Sequence, residues 1–404
     1  MKTNIYLAML FIISALFLSC AKLYDVNKEN IVVKEQDIYS SLSADTSANV
    51  LFMYNATLNP NAKIRGFQGI TSVGYNAGIY YIAMMCGVKG EEPGGYISVA
   101  SSNDEGATWK LNRLIIAPSK DSLRHFDPSF WNDKSGDLHM SWTLSDGMWD
   151  GAKGGVWHVK MKERDDKLVI TKPKRLFSGV MNVKPLQMDS TVLFPVSGWN
   201  FWDAVYGGHQ YIRTPDEING PVVYKSTFDK SETGFTPPAK LYMIPTVLPR
   251  TFDEFMLVNF GKDSLIAMLR TNLNMGISKS FDGGKTWGRQ EEFKGVGQTT
   301  SSRFYFGKLK SGNLLLILNN STGRKNMTAY LSKDKGKTWP YKLVIDERDN
   351  SYPDVVLNSN NEICVVYDRR RGDTGEIYFC KISENDIVGG DSKSINLITV
   401  TKLK

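Results

Sequence analysis

Cysteine and histidine are scarce: the 404 residues include four of each. Apart from Cys20, the cysteines are Cys86, Cys364 and Cys380, each inside an apolar run. A disulfide-dense scaffold is thereby excluded and buried free thiols are expected, with a Cys364–Cys380 bridge between neighbouring strands as the alternative. No Cys/His spacing suits zinc, and neither a Rossmann glycine pattern nor a P-loop occurs, so no metal and no organic cofactor is expected. Basic runs interleaved with aromatics are missing, which argues against nucleic acid as a partner. Beyond Leu18 no apolar run approaches the roughly 20 residues that a spanning helix needs. Long amphipathic helical periodicity is nearly absent as well.

The single long apolar run lies at the start, from Ile5 to Leu18, behind Lys2 and ahead of Ser19 and Cys20. It reads as a lipoprotein signal peptide over residues 1–19, with Cys20 lipidated; a plain secretory signal or a membrane anchor is the alternative. Residues 20–47 are polar and aperiodic and read as a tether, leaving 48–404 as the folded body. The expectation is a monomer in the cell envelope, facing the periplasm or on the outer-membrane surface, touching membrane only through its lipid. The formal charge of +7 suits anionic ligands.

What is abundant is one short pattern, S-x-D-x-G-x-T-W. It occurs in full at Ser102–Asp104–Gly106–Thr108–Trp109, at Ser280–Asp282–Gly284–Thr286–Trp287 and at Ser332–Asp334–Gly336–Thr338–Trp339. The spacing is that of a tight hairpin loop: Asp accepts from nearby backbone N–H groups, Gly supplies a positive φ, and Trp packs over the next strand. Worn copies at 160, 226 and 383 complete a series starting at 102, 160, 226, 280, 332 and 383. Between these marks lie short β-rich runs preceded by turn-like clusters. Six units of about 55 residues predict an all-β, six-bladed propeller. A strand near residues 50–54 is expected to complete the last blade.

A second series recurs just ahead of each inner strand: Arg65 with Gln68, Asp127, Lys184, Asp253 with Glu254, Arg303, and Tyr352 with Asp354. A third ends the second strands: Trp199, Arg270, Asn319 and Asp368, the last followed by Arg369. In a propeller the same phase of every blade faces the same mouth of the central channel, so these residues are expected to converge. Arg65, Arg270 and Arg303 would then surround one anion, since guanidinium groups bind carboxylate and stay charged; three separate structural ion pairs is the alternative. Trp199, Trp202 and Tyr211 offer flat faces to a sugar ring.

The boxes and phased residues resemble the sialidase-like, BNR-repeat propellers, and in particular a bacterial group often labelled sialidase. That resemblance implies an arginine triad, Arg65, Arg270 and Arg303, holding a substrate carboxylate, with Tyr352 as nucleophile and Glu254 as its proton acceptor. The acid/base Asp of the family has no counterpart; Glu91 or Glu92 stands in its place. The altered acid position and the extra Lys184 turn the reading slightly towards elimination on the terminal uronic acid of an anionic oligosaccharide, with Tyr352, Lys184 or His209 as base. A sialidase-type exo-hydrolase and a non-catalytic glycan-binding propeller are the alternatives.

Overall fold

The computed structural model describes residues 23–25, 28, 31–34, 49–54, 65–148, 150–165, 167–198, 220–231, 233–236, 240–249, 252–272 and 274–403. Six antiparallel sheets follow one another along the chain as the blades of a β-propeller. Blade 4 shows the plan: Phe255–Gly261, Ser264–Arg270, Met275–Ser280 and Glu291–Glu292, each hydrogen-bonded to the next. Blade 5 repeats it with Tyr305–Lys308, Leu314–Asn319, Lys325–Ser332 and Tyr341–Asp349. Blade 6 does so with Ser351–Leu357, Ile363–Arg369, Glu376–Ile382 and Ile398–Thr401. Blade 3 begins on a two-residue inner strand, Leu186–Gln187.

Blades 1 and 2, whose inner strands are Phe67–Asn76 and Leu123–Asn132, are widened to six strands by the N-terminal segment and an extra outer strand. Asn49–Tyr54 pairs with Lys110–Pro118 on the outer edge of blade 1, and so does not complete blade 6 as the sequence suggested. Two stretches of the expected tether are also strands: Ile31–Lys34 beside Asn49–Tyr54, and Tyr24–Asp25 beside Lys167–Ile170 of blade 2. Backbone pairing here overrides a polar, aperiodic sequence. The signal region and Cys20 lie outside the described residues.

Middle strands are covered on both faces by neighbouring blades, so Tyr96–Ser102 and Leu314–Asn319 are buried at every position. They read as unbroken apolar runs for that reason. Six apolar clusters each join two adjacent blades and close the ring, including the pair formed by blades 1 and 6. A fully buried Leu, Ile or Phe adds roughly 1.5–3 kcal/mol. Cys86, Cys364 and Cys380 are buried free thiols within these layers.

The complete boxes form the hairpins between third and fourth strands. Asp282 Oδ1 accepts from Thr286 N (2.9 Å), four residues on, and Asp282 Oδ2 from the Thr286 hydroxyl (2.6 Å). Gly284 donates to Ser280 Oγ at φ 84° and its carbonyl accepts from Trp287 Nε1 at 3.1 Å. The worn copy at 383 is different: Ser383 caps the helix Glu384–Gly389 with Asp386 in a capping box. Strands alternate in direction, so the boxes lie at the mouth where inner strands end. That is the lower mouth; the upper mouth, where inner strands begin, carries the chemistry-bearing residues.

Candidate functional site

The inner strands of blades 1, 2 and 6 open with the same device. Their register slips between Gly69 and Ser72, Phe126 and Ser129, and Ser351 and Asp354. In each bulge one residue takes the left-handed conformation: Ile70 (φ 53°), Asp127 (52°) and Tyr352 (54°). Asp253, just ahead of the blade 4 strand, does the same at 52°. A β-branched or bulky residue there is an outlier, costing of order 1–3 kcal/mol, and a bulge re-aims its side chain. These four positions lie at the upper mouth, where Ile70, Phe126, Val180 and Tyr352 pack together.

Tyr352 sits at the centre. Its hydroxyl donates to Glu254 Oε1 at 3.2 Å and accepts from Arg270 Nη1 at 3.1 Å. Arg270 Nη1 also donates to Glu254 Oε2 at 2.7 Å, and Asn182 Nδ2 to Oε1 at 2.8 Å. Burial alone would raise the Glu254 carboxyl, but the bonded Arg270, nearby Arg303 and Asn182 outweigh it and hold it below its ordinary range. Burial, then the Glu254 charge, raise the Tyr352 phenol. The phenol therefore keeps its proton at rest, beside a carboxylate able to take it.

Among the described residues, four guanidinium groups surround this one ring. Besides Arg270, the carbons of Arg371, Arg303 and Arg324 lie 4.0, 4.8 and 5.2 Å from its centroid. They differ in what they are committed to. Arg303 is fully buried and donates to carbonyls of three blades, Thr71 O, Asn182 O (3.0 Å) and Tyr352 O (3.0 Å). It pins the channel together and leaves little for a ligand, contrary to the triad expected from sequence. Arg65 also departs from that triad: it donates to Asn112 Oδ1 (2.7 Å), Tyr96 Oη (3.3 Å) and Gln68 Oε1 (3.4 Å), within blade 1.

Two arginines missed by sequence reasoning stand at the same ring. Arg324 is exposed and, among the described residues, makes no side-chain hydrogen bond. Arg371 donates from Nε to Asp368 (2.9 Å) and from Nη1 to Glu91 (3.2 Å), while its Nη2 is buried without a partner among the described residues. Both lie on loops after second strands, a few residues beyond the phased positions Asn319 and Asp368. Variable loop length hides such residues from periodicity; the available signal was that these loops all face the upper mouth.

Asp127 is buried, and among the described residues its carboxyl accepts no hydrogen bond. Burial, then the charges of Glu254 and Glu91, raise it to about 7 against the pull of Arg124 and Arg303. Other expected site residues are structural. Asp354 accepts from Ser72 Oγ (2.6 Å), Val73 N (2.9 Å) and Lys184 Nζ (2.8 Å). Lys184 is further bonded to Val73 O and Phe130 O, so its ammonium is fully committed and unsuited to act as a base. Asp368 accepts from Ile70 N, Ser351 Oγ and Arg371. Gln68 is buried on Gly375 O, and Arg369 turns to Asp349 O and Glu376. Asp253 is buried beside Glu254. Trp199, Trp202, His209 and Tyr211 lie outside the described residues.

A family model described as a BNR repeat-like domain matches residues 91–365. Among curated protein sequences none matches the chain. Solved structures share the fold. A Hadza microbial sialidase is 18% identical at a TM-score of 0.57, over 80% of this chain and 66% of its own. NanB sialidase from Streptococcus pneumoniae is 12% identical at 0.57, over 81% and 70%. The leech intramolecular trans-sialidase is 13% identical at 0.56, over 84% and 70%.

Proposed function

The chain belongs to the family of BNR repeat-like domains, and on that footing we propose that its upper mouth is the active site of an exo-glycosidase of sialidase type. The carrying observation is the Tyr352–Glu254–Arg270 constellation, with Arg371 and Arg324 on the same ring. Guanidinium groups this close to the phenol would hold a substrate carboxylate at the very carbon that Tyr352 reaches. That favours a terminal sugar whose carboxylate is borne by the anomeric carbon, the sialic-acid class, over a uronic acid, whose carboxylate lies elsewhere on the ring. A protein anion would be repelled from such a carbon, whereas a neutral phenol is not. The similarity to structures named as sialidases accords with this reading.

In the proposed sequence, Glu254 takes the phenol proton as Tyr352 Oη bonds to the anomeric carbon and the glycosidic C–O bond breaks. Asp127 gives its proton to the departing oxygen, then takes one from the water that releases the sugar from Tyr352. Glu91, anchored to Arg371, holds that arginine in place. Elimination loses support because Lys184, a candidate base, is locked to Asp354 and two carbonyls. Incubation with sialate- and uronate-capped oligosaccharides, followed by mass measurement, tests the proposal. Release of a free sialic acid is expected. An unsaturated product absorbing in the near ultraviolet, or no reaction with any sialoside, would overturn it.

A further inference from the structure

The lower mouth holds a cavity of about 520 Å³, within the size range of small-ligand sites. One of its lining residues, Lys184, sends its ammonium to Asp354 and to carbonyls on the inner strands of blades 1 and 2. Its lining carries Lys134, Lys262 and Lys308, from blades 2, 4 and 5. Lys262 and Lys308 are exposed and, among the described residues, their ammonium groups have no partner. Lys134 leans on Asp189, the single acidic residue of the lining among the described residues, at 3.1 Å to its carbonyl and 3.7 Å to its carboxylate. Unbalanced ammonium groups around one hollow repel each other unless an anion sits among them.

The walls add a second requirement. Gln187 donates its amide to Asn132 O, leaving Oε1 buried with no donor among the described residues. An unsatisfied buried acceptor is costly, and a ligand hydroxyl would satisfy it. Sulfate has no such hydroxyl to give. Tyr305 and Pro185 add ring-bearing residues to the same lining. Anionic charge, hydroxyl donors and ring-sized faces together describe an acidic saccharide.

We propose that this lower cavity is a second, non-catalytic site for an acidic saccharide, which holds a stretch of anionic glycan on the face opposite the upper mouth. The assignment does not rest on the proposed hydrolysis, since the lining shares no residue with the Tyr352–Glu254–Arg270 constellation. Methionine methyl groups report on each mouth separately. Met188 and Met256 line the lower cavity, whereas Met148 packs by the Tyr352 cluster. The full chain, labelled with ¹³C-methyl methionine, is titrated with trigalacturonate and, separately, with sodium sulfate. Trigalacturonate should shift the Met188 and Met256 signals saturably. Lys262→Glu with Lys308→Glu should weaken that binding at least tenfold, without moving the thermal midpoint or any Met148 response. Sulfate should need at least tenfold higher concentration. Unmoved Met188 and Met256 signals, identical titrations in the lysine variant, or sulfate matching the trisaccharide would each overturn the assignment.

Discussion

Tyr352 holds a phenol whose proton is kept on by burial and whose nearest acceptor is a carboxylate 3.2 Å away. Two predictions belong to single residues. Arg324 is the exposed member of the guanidinium group, with no hydrogen-bond partner among the described residues, so it is available to a ligand. A charge-assisted bond is worth about 1.5–3 kcal/mol, so Arg324→Ala should raise KM for an acidic substrate roughly 10- to 100-fold, with a smaller change for any uncharged analogue. Steady-state kinetics on both substrates would check this, and equal losses on the two would contradict it. Asp127, raised to about 7, carries its proton below that pH and loses it above. Activity should therefore fall as pH rises through 7, and Asp127→Asn should remove that limb while lowering kcat about 10²- to 10⁴-fold. A limb that survives in Asp127→Asn but disappears in Glu91→Gln would move the acid to Glu91.

Repeated elements were the most legible part of the sequence, because their physics is local. Each box needs an acceptor, a glycine and a tryptophan at fixed offsets, and all three complete copies form the expected hairpins. The worn copy at 383 failed because Ser383 and Asp386 satisfy a helix cap equally well. Gly106 and Gly312 separate two costs of such turns, since both have φ near 90° but different surroundings. A Cβ at Gly312 meets nothing within 4 Å, whereas one at Gly106 would lie 2.5 Å from the Phe379 ring. Gly312→Ala should cost only the left-handed penalty, about 1–2 kcal/mol. Gly106→Ala should add about 1–3 kcal/mol of overpacking between blades 1 and 6. Urea midpoints would rank the two, and equal losses would show that the ring yields freely.

At the scale of the molecule, phase along the chain located the mouth but not the partners within it. Tyr352, Glu254, Arg270 and Arg303 converge as the periodicity implied, because equivalent blade positions share an axis. Periodicity is silent on which converging groups bond one another. Asp354, Asp368 and Lys184 therefore looked like ligand contacts although they tie blade 1 to its neighbours. It was equally silent on a buried pair between strands of blade 2, where His139 Nδ1 meets His158 Nε2 at 2.8 Å and His139 Nε2 meets Asp133 at 3.1 Å.

Burial lowers both histidines from their ordinary value of 6.5. Their contribution to stability is present above 6.5 and is lost as pH falls from there towards the folded values. Asp127 acts with the opposite sign. Its folded value of about 7 lies above the unfolded 3.8, so its contribution is complete below 3.8 and is lost as pH rises through 7. Between pH 6 and 4 the two effects oppose each other, each bounded by about 1.4 kcal/mol per pH unit per proton. Denaturant unfolding across that range should separate them. His158→Gln should flatten the acid loss of stability, while Asp127→Asn should steepen it. If His158→Gln left the slope unchanged, the buried pair would not be what sets the acid limit of the fold.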